Sequence, residues 1–313
     1  DAFDSEQSQF GKNVSAYYEY ARENDLVTTH ALVSPQVDRS LAPDAQVKDI
    51  AARIVGENDK GFIINGVRML ATLAAIADDI VVMPAPSYPL TDAEEAKTHA
   101  FGFVIPVSTP GLKLIARPSV VHQNAGSPMD YPLANHFDDS DCMILFDNVL
   151  VPWERVFIHR DPDFDLKVNP ASYVGHSMLM QSVVRAHSKS EFMMALAFAI
   201  ARSTKIDQHN PVQVKLAEMI SMTEFVRTCR VAAEAGAHET EFGTWVGDMR
   251  PLQTWQSFFW QFYNRQCEII TTLGAGGLVA VPSFAEVAGE LKQDVEKYFQ
   301  TANADSPRRI KLM

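Results

Sequence analysis

The sequence predicts an α+β protein: a short helical segment, then a domain of antiparallel strands, then a region of long helices. Between Val47 and Phe157 the apolar residues come in short or alternating runs separated by turn signals such as Asn65-Gly66, which is typical of strands. After about Asp165 they recur at intervals of three and four residues, which is typical of amphipathic helices. The change of period therefore predicts two structurally different regions.

The strand region begins with a helical pattern over residues 10–24, followed by the β-branched stretch 26–33. Further strands are predicted at 50–55, 61–70, 79–83, 101–106, 112–117, 142–146 and 149–157. These strands are too closely spaced for crossover helices between them, so we expect antiparallel pairing.

Four helices are predicted in the C-terminal region, and their short connections favour an antiparallel four-helix bundle. Asn210-Pro211 supplies an N-cap and a first-turn proline, and Ser283 with Glu286 forms a capping box. The predicted helices cover about 172–204, 210–242, 251–274 and 283–300.

The composition excludes several classes of protein. The chain has 313 residues, 47% of them hydrophobic, which is enough for about two domains with a sizeable core and excludes disorder. Its formal net charge is −12 and its Lys and Arg residues are not clustered, so we do not expect it to bind nucleic acid. The apolar runs, such as 69–76, are far shorter than the roughly 18 residues of a membrane span, so no membrane partner is expected.

The cysteines and the chain ends allow two further expectations. Cys142, Cys229 and Cys267 are odd in number and form no CxxC pair, which favours a reducing compartment, hence a cytoplasmic location. The chain lacks an initiator Met, and Pro307 suits the first turn of a helix that has only begun when the sequence stops. We therefore expect a longer parent protein.

Standard catalytic motifs are absent from the sequence. It has no GxGxxG after a strand, no GxxxxGK[ST], no GxSxG and no HExxH. The stretch 274–277 is glycine-rich but stands at a predicted helix end with the wrong spacing for a dinucleotide. The His and Cys residues show no metal-ligand spacing, so no metal site is predicted.

Five segments of the sequence resemble one family of flavoproteins and occur in the family's order. The chain is similar to the oxygenase component of 4-hydroxyphenylacetate 3-monooxygenase and to related two-component, reduced-flavin phenol hydroxylases. The segments are 24–32 (NDLVTTHAL), 36–40 (QVDRS), 65–79 (NGVRMLATLAAIADD), 117–123 (RPSVVHQ) and 146–156 (FDNVLVPWERV).

The resemblance implies a fold and a reaction. The fold would be acyl-CoA dehydrogenase-like, with the end of a helical domain over 1–25, an antiparallel β-barrel-like domain over 26–157 that contacts flavin and substrate, and a helical bundle over 158–313. The reaction would hydroxylate a phenol ortho to its hydroxyl, using O2 and reduced FAD as co-substrate through a peroxyflavin. A separate NAD(P)H:flavin reductase would supply the flavin, which agrees with the missing GxGxxG. A homotetramer is implied as well.

The resemblance also assigns site residues. His30 would be the catalytic residue and would contact both flavin and phenol, because an imidazole can accept or share the phenol proton near neutral pH. The substrate contacts would be His30, Ala85, Pro86 and Ser87. The cofactor contacts would be His30, Ala31, Leu32, Val33, Gln36, Val37, Asp38, Arg39 and Thr72. In the family, an Arg and a Tyr of the substrate pocket and a Gly-rich flavin contact lie outside the part matched here.

Each assignment has a purely structural alternative. His30 could be hydrogen-bonded to backbone, the Thr72 hydroxyl could bond a backbone carbonyl, and Asp38 could pair with Arg39 in a solvated turn. Arg117 of the fourth segment is as well explained by a structural role as by a functional one.

Alternative functions also remain at this point. The scaffold suits an acyl-CoA dehydrogenase or a 4-hydroxybutyryl-CoA dehydratase, although the scattered cysteines disfavour the dehydratase's iron–sulfur cluster. A non-catalytic assembly or binding relative is the third possibility. Ala85 and Pro86 offer no charged donor, so the expected substrate is a phenol without a carboxylate at that position.

Overall fold

The chain forms two compact units in the structure, which is a computed structural model describing residues 8–47, 50–84, 90–91, 93–120, 127, 130–163 and 172–303. The first unit comprises Asp1–Val120 and Phe137–Ser172, and the second comprises Val121–His136 and Tyr173–Met313. The sheets of the first unit and the long helices of the second confirm the predicted change of structure along the chain. The domain boundaries after residues 25 and 157 stay predictions.

The described residues of the first unit form one α-helix, α1 (Ser8–Glu23), a few short 3-10 helices, and eight strands in two four-stranded sheets. One sheet has the order β1-β4-β5-β8 and the other the order β2-β3-β7-β6. All predicted strands form, although 142–146 and part of 149–157 are a single long strand. The strands are β1 (Thr28–Ala31), β2 (Arg53–Asn58), β3 (Gly61–Thr72), β4 (Asp79–Val82), β5 (Phe101–Pro106), β6 (Leu112–Ala116), β7 (Asp141–Pro152) and β8 (Val156–His159).

Strand pairing differs from the expectation at one place. β1 runs parallel to β4, with His30 opposite Val81, whereas the other pairs of the two sheets are antiparallel. A parallel pair needs a long return connection. Here β2 and β3 of the other sheet supply that connection, so no crossover helix is required. The described strands form two open sheets and not a closed barrel.

The two sheets share one hydrophobic core. β3 presents alternate residues to it, as a half-buried strand does, and Phe62 packs edge-on against Phe103 at a centroid distance of 5.8 Å. Phe103 packs in the same way against Phe146 of the other sheet at 5.9 Å. An isolated bridge between Val33 and Met69 joins the sheets beyond the end of β1.

Helix α1 is attached to the strands by a buried amide. The Asn13 side chain donates hydrogen bonds to the carbonyl oxygens of Trp153 at 2.7 Å and Val156 at 2.8 Å. Tyr17, one turn further along the helix, packs against Phe157 of β8. The helix is therefore fixed to the segment that links β7 to β8.

The second unit is built on three long helices. They are α2 (Val174–Thr204), α3 (Asn210–Ala235) and α4 (Met249–Gly274). One core cluster joins the start of α2 to the end of α3 and the start of α4, and another joins the end of α2 to the start of α3 and the end of α4. Therefore α3 runs antiparallel to both of its neighbours.

The predicted four-helix bundle is wrong in two details within the described residues. The second helix ends at Ala235 and not near Phe242, because Gly236 follows it and the chain turns into a hairpin of β9 (His238–Glu239) and β10 (Trp245–Val246). The fourth predicted helix divides into two short ones, α5 (Phe284–Ala288) and α6 (Lys292–Tyr298). Gly289, with extended backbone, interrupts them. The capping box at Ser283 is confirmed.

We predict that Asn13→Ala destabilises the first unit by about 1–3 kcal/mol, because two carbonyl oxygens lose their donor at a buried site. The matched control is Asn24→Ala, since the Asn24 side chain is exposed and bonds only the Tyr20 carbonyl of its own helix end. Scanning calorimetry should show a lower melting temperature for Asn13→Ala alone. An equal effect of both substitutions would contradict the assignment.

Candidate active site

The predicted site residues lie where the end of β3 meets β1. The Thr29 hydroxyl donates a 2.5 Å hydrogen bond to the carbonyl oxygen of Thr72. Thr29 and Ala31 are buried, and His30 between them is exposed because successive side chains of a strand point to opposite faces. The His30 side chain forms no hydrogen bond or ion pair with any residue that the structure describes. The two predicted residues are thus neighbours through Thr29, and their side chains do not bond each other.

The segment after His30 is anchored by a buried arginine. Ala31 belongs to the hydrophobic core, and the carbonyl oxygen of Val33 accepts a hydrogen bond from the Met69 N–H at 2.8 Å. Arg68 donates to the Leu32 carbonyl oxygen at 3.4 Å and to the Ser34 hydroxyl. Backbone and core contacts therefore hold Ala31, Leu32 and Val33 in place.

Arg68 itself is 4% exposed, and its guanidinium stacks on the Phe101 ring at 4.9 Å. Burial lowers its pKa to about 10. On β3, Arg68 lies on the same core-facing side as Phe62 and Ile64. A charged residue at a position where the alternation predicts a buried one could have identified this anchor from the sequence.

Residues 36–39 lie in a turn, where Gln36 is half-buried and Val37 is 63% exposed. The Asp38 carboxylate accepts hydrogen bonds from the Ser40 N–H and hydroxyl, which hold its pKa below the usual range. No ion pair joins Asp38 to Arg39 among the described residues, so the alternative in which they pair is wrong. Arg39 is exposed and has no polar partner among the described residues, so its guanidinium is available to a ligand.

Thr72 ends β3 with its side chain exposed. Its hydroxyl donates to Oδ1 of Asp141 at 2.7 Å, so the alternative in which it bonds a backbone carbonyl is wrong. The neighbouring alanines are small: Ala71 and Ala74 are fully buried and Ala75 is exposed. Ala71 and Ala74 belong to the hydrophobic core, so only Ala75 offers a small exposed side chain at this strand end.

Arg117 has the structural role that was one of its two explanations. Its guanidinium donates to Oδ1 of Asp138 at 2.7 Å and to the carbonyl oxygen of Asp139 at 2.5 Å, and its Nε lies 3.7 Å from Oδ2 of Asp141. The Asp138 carboxylate also accepts from the Ser119 hydroxyl, and these bonds lower its pKa. Sequence reasoning missed Asp141, because it is 69 residues away from Thr72 along the chain.

The substrate loop is not part of this geometry. Ala85, Pro86 and Ser87 lie outside the described residues, as do His122 and Gln123 of the fourth segment. No group of three or more possible metal ligands occurs in the part of the chain that the structure describes. Within that same part, every helix is too short or too polar to cross a membrane.

Solved structures place the fold among acyl-CoA dehydrogenase-like proteins. An acyl-CoA dehydrogenase from Geobacillus kaustophilus covers 92% of this chain at 16% identity with a TM-score of 0.56, which shows the fold alone. The oxygenase component of 4-hydroxyphenylacetate 3-monooxygenase, crystallised with FAD and 4-hydroxyphenylacetate, is much more similar. This chain is covered completely at 34% identity with a TM-score of 0.90, and it spans 63% of that chain.

The chain belongs to the 4-hydroxyphenylacetate 3-hydroxylase family. Its N-terminal family profile matches residues 1–158 and its C-terminal profile matches residues 168–313. The 4-hydroxyphenylacetate 3-monooxygenase oxygenase component of Thermus thermophilus is 35% identical over 97% of this chain, which spans 62% of that protein. The 2,4,6-trichlorophenol monooxygenase of Cupriavidus pinatubonensis is 32% identical over 86% of the chain, and half of that protein is covered.

The environment of His99, beside Arg68, predicts a pH dependence of stability. Burial, and then the nearby Arg68 charge, lower the His99 pKa below its usual 6.5, against the smaller opposing effect of Asp44. The unfolded chain then binds a proton that the folded chain does not, so stability falls as the pH drops below about 6.5, by at most about 1.4 kcal/mol per pH unit.

The substitution His99→Gln should remove the part of the stability loss at low pH that is caused by protonation of His99. Melting temperatures between about pH 7.5 and about pH 5.5 should fall less steeply in the variant than in the unchanged protein. His209→Gln, at an exposed position of the second unit, is the control and should leave the slope as it is. A slope unchanged by His99→Gln would show that other groups cause the pH dependence.

Proposed function

We propose that the protein hydroxylates a phenol ortho to its hydroxyl group, with O2 and reduced FAD as co-substrates. The observation that carries the proposal is the likeness over the whole chain to an oxygenase component that was crystallised with FAD and 4-hydroxyphenylacetate. The exposed His30 next to Thr72 supports it, because these are the two side chains that the reaction would use.

The residues present fit a flavin. Arg39 offers a fork of donors without a competing partner among the described residues, which suits flavin oxygens or phosphate. Thr72 offers an exposed hydroxyl at the strand end, and Ala75 close to it is small and exposed. Backbone groups of 31–33 and 36–38 would complete the cofactor contacts.

The overall reaction converts phenol, O2 and reduced flavin into catechol, water and oxidised flavin. When bound, the flavin supplies the two electrons and activates O2. The chain's own residues bind the phenol and the flavin and orient them toward each other. His30 accepts or shares the phenolic proton, which raises electron density at the ortho carbon, and returns it as the aromatic ring is restored.

The proposal includes partners. The reduced flavin is supplied by a separate NAD(P)H:flavin reductase, because the sequence offers no dinucleotide fingerprint of its own. Subunits associate as a homotetramer, which is supported by exposed aromatic side chains on the helices, such as Trp260 of α4 at 69% exposure. A cytoplasmic location agrees with the three cysteines, which are unpaired in the structure.

We predict that His30→Ala in the full-length protein lowers the rate of hydroxylation by roughly 100- to 10,000-fold, the usual range for one positioned acid–base group. Reduced FAD and O2 should still be consumed, with hydrogen peroxide released in place of catechol. Stopped-flow absorbance and product analysis with a panel of phenols would measure both. A normal yield of catechol would remove His30 from the mechanism.

The matched control for this experiment is Thr28→Ala. Thr28 lies two residues earlier on the same exposed face of β1, so its replacement tests whether damage to the strand alone causes uncoupling. Catechol formation should be close to that of the unchanged protein. If the unchanged full-length protein converts no phenol at all but reduces its flavin with an acyl-CoA, it is a dehydrogenase on the same scaffold.

The preferred substrate should be a neutral or differently anchored phenol, with 4-hydroxyphenylacetate turned over weakly or only through the family's pocket Arg and Tyr, which lie outside the part matched here. Ala85 and Pro86 provide no side-chain donor, and an unpaired carboxylate in an apolar site costs several kcal/mol, where about 1.4 kcal/mol is tenfold in affinity. We therefore expect kcat/KM to be higher for uncharged para-substituted phenols than for 4-hydroxyphenylacetate. A clear preference for the acid would show that other residues bind the carboxylate.

A further inference from the structure

The direction of one hydrogen bond at the candidate site carries an inference about flavin recognition. A threonine hydroxyl has a single hydrogen and two acceptor lone pairs. In Thr72 that hydrogen points to Oδ1 of Asp141 at 2.7 Å, and an ionised carboxylate can only accept. The Thr72 hydroxyl can therefore act only as an acceptor toward any ligand placed against it.

Asp141 is held in the orientation that this requires. It is the first residue of β7 and is paired in register with Thr72, so the two side chains lie on the same face of the sheet. Its other oxygen, Oδ2, faces the Arg117 guanidinium at 3.7 Å, and Arg117 is fixed in turn by Asp138. Oδ1 of Asp141 is therefore left for the Thr72 hydroxyl.

The redox states of flavin differ at the atom that such a hydroxyl contacts. Nitrogen N5 of the isoalloxazine carries a hydrogen when the ring is reduced and can donate it. In the oxidised ring the same nitrogen has only a lone pair. An acceptor hydroxyl forms a hydrogen bond with the first and places two lone pairs against each other with the second.

We propose that Asp141 is a positioning residue that makes the protein select reduced over oxidised flavin, by fixing the Thr72 hydroxyl as an acceptor. This rests on the proposed function, in which Thr72 meets the redox-active edge of the flavin. A hydroxylase that captures reduced flavin from a separate reductase needs this preference. A dehydrogenase starts from oxidised flavin, for which a freely rotating hydroxyl that donates to N5 is the better partner.

The test is the ratio of two dissociation constants, one for oxidised FAD and one for reduced FAD under anaerobic conditions, measured on the full-length protein. The unchanged protein should bind reduced FAD more tightly. Asp141→Ala frees the Thr72 hydroxyl to rotate and donate, so the ratio should fall by about three- to tenfold, the value of one ordinary hydrogen bond. Thr72→Val, which has no hydroxyl, should lower the ratio too.

Two further variants separate this role from a structural one. Asp147→Ala removes another carboxylate of β7, which pairs with Lys113 at 2.8 Å on an exposed surface, and should leave the ratio unchanged. In a Thr72→Val background, Asp141→Ala should have no additional effect on the ratio, because Asp141 acts through the hydroxyl. A general loss of folding would weaken the binding of both redox forms of FAD and would leave the ratio of their dissociation constants unchanged.

The outcomes are distinct. If the unchanged protein binds neither form of FAD, the proposed function itself fails. If both forms bind but Asp141→Ala and Thr72→Val keep the original ratio, the flavin proposal stands and the role of Asp141 is wrong. If Asp141→Ala does not fold, a Thr72→Val variant that retains the preference for reduced FAD would equally overturn the inference.

Discussion

The hydrogen bond from Thr29 to the Thr72 carbonyl is the constraint on which the candidate site depends. It joins β1, an edge strand of one sheet, to the end of β3 in the other sheet. Because Thr29 points into the core, His30 must point outward, and the Thr72 side chain at the end of β3 is exposed as well. One interaction thus brings together two predicted site residues that are 42 residues apart in sequence.

The parallel pairing of β1 with β4 requires a long return connection, and the first part of that connection contains predicted site residues. The chain must leave β1, pass through the other sheet and return, and the connection directly after β1 contains the residues 32–39. Burying the Arg68 charge is unfavourable, and the hydrogen bonds that its Nη1 donates to the Leu32 carbonyl oxygen and the Ser34 hydroxyl offset part of this penalty. The same charge therefore holds the proposed flavin-binding connection against the sheet.

Local sequence patterns predicted most helices and strands, but they could not predict which strands pair over long distances in the sequence. Alternation predicted the strands, and the capping box at Ser283 was read correctly because its partners are three residues apart. The parallel pair was missed because short connections favour antiparallel pairing only between strands that follow each other in the chain and are also neighbours in the sheet. The strands β1 and β4 are neighbours in the sheet but are separated in the chain by β2 and β3. Gly236 marked the true end of α3, and Gly289 the break in the last helix, although neither was used as a stop signal. The partner of Thr72 depended on a strand register that no local pattern contains.

The direction of the hydrogen bond between Thr72 and Asp141 bears on a choice between reactions that the resemblance to a family does not decide. A hydroxyl at the end of β3 is compatible with a dehydrogenase and with a hydroxylase, because the side chain alone can donate or accept. The Asp141 carboxylate removes that choice, and Arg117 keeps the carboxylate in place. The charge pair is partly exposed, so its contribution to stability is small. In the proposed function its consequence is instead chemical: it leaves the Thr72 hydroxyl as a hydrogen-bond acceptor, which favours the reduced state of the flavin.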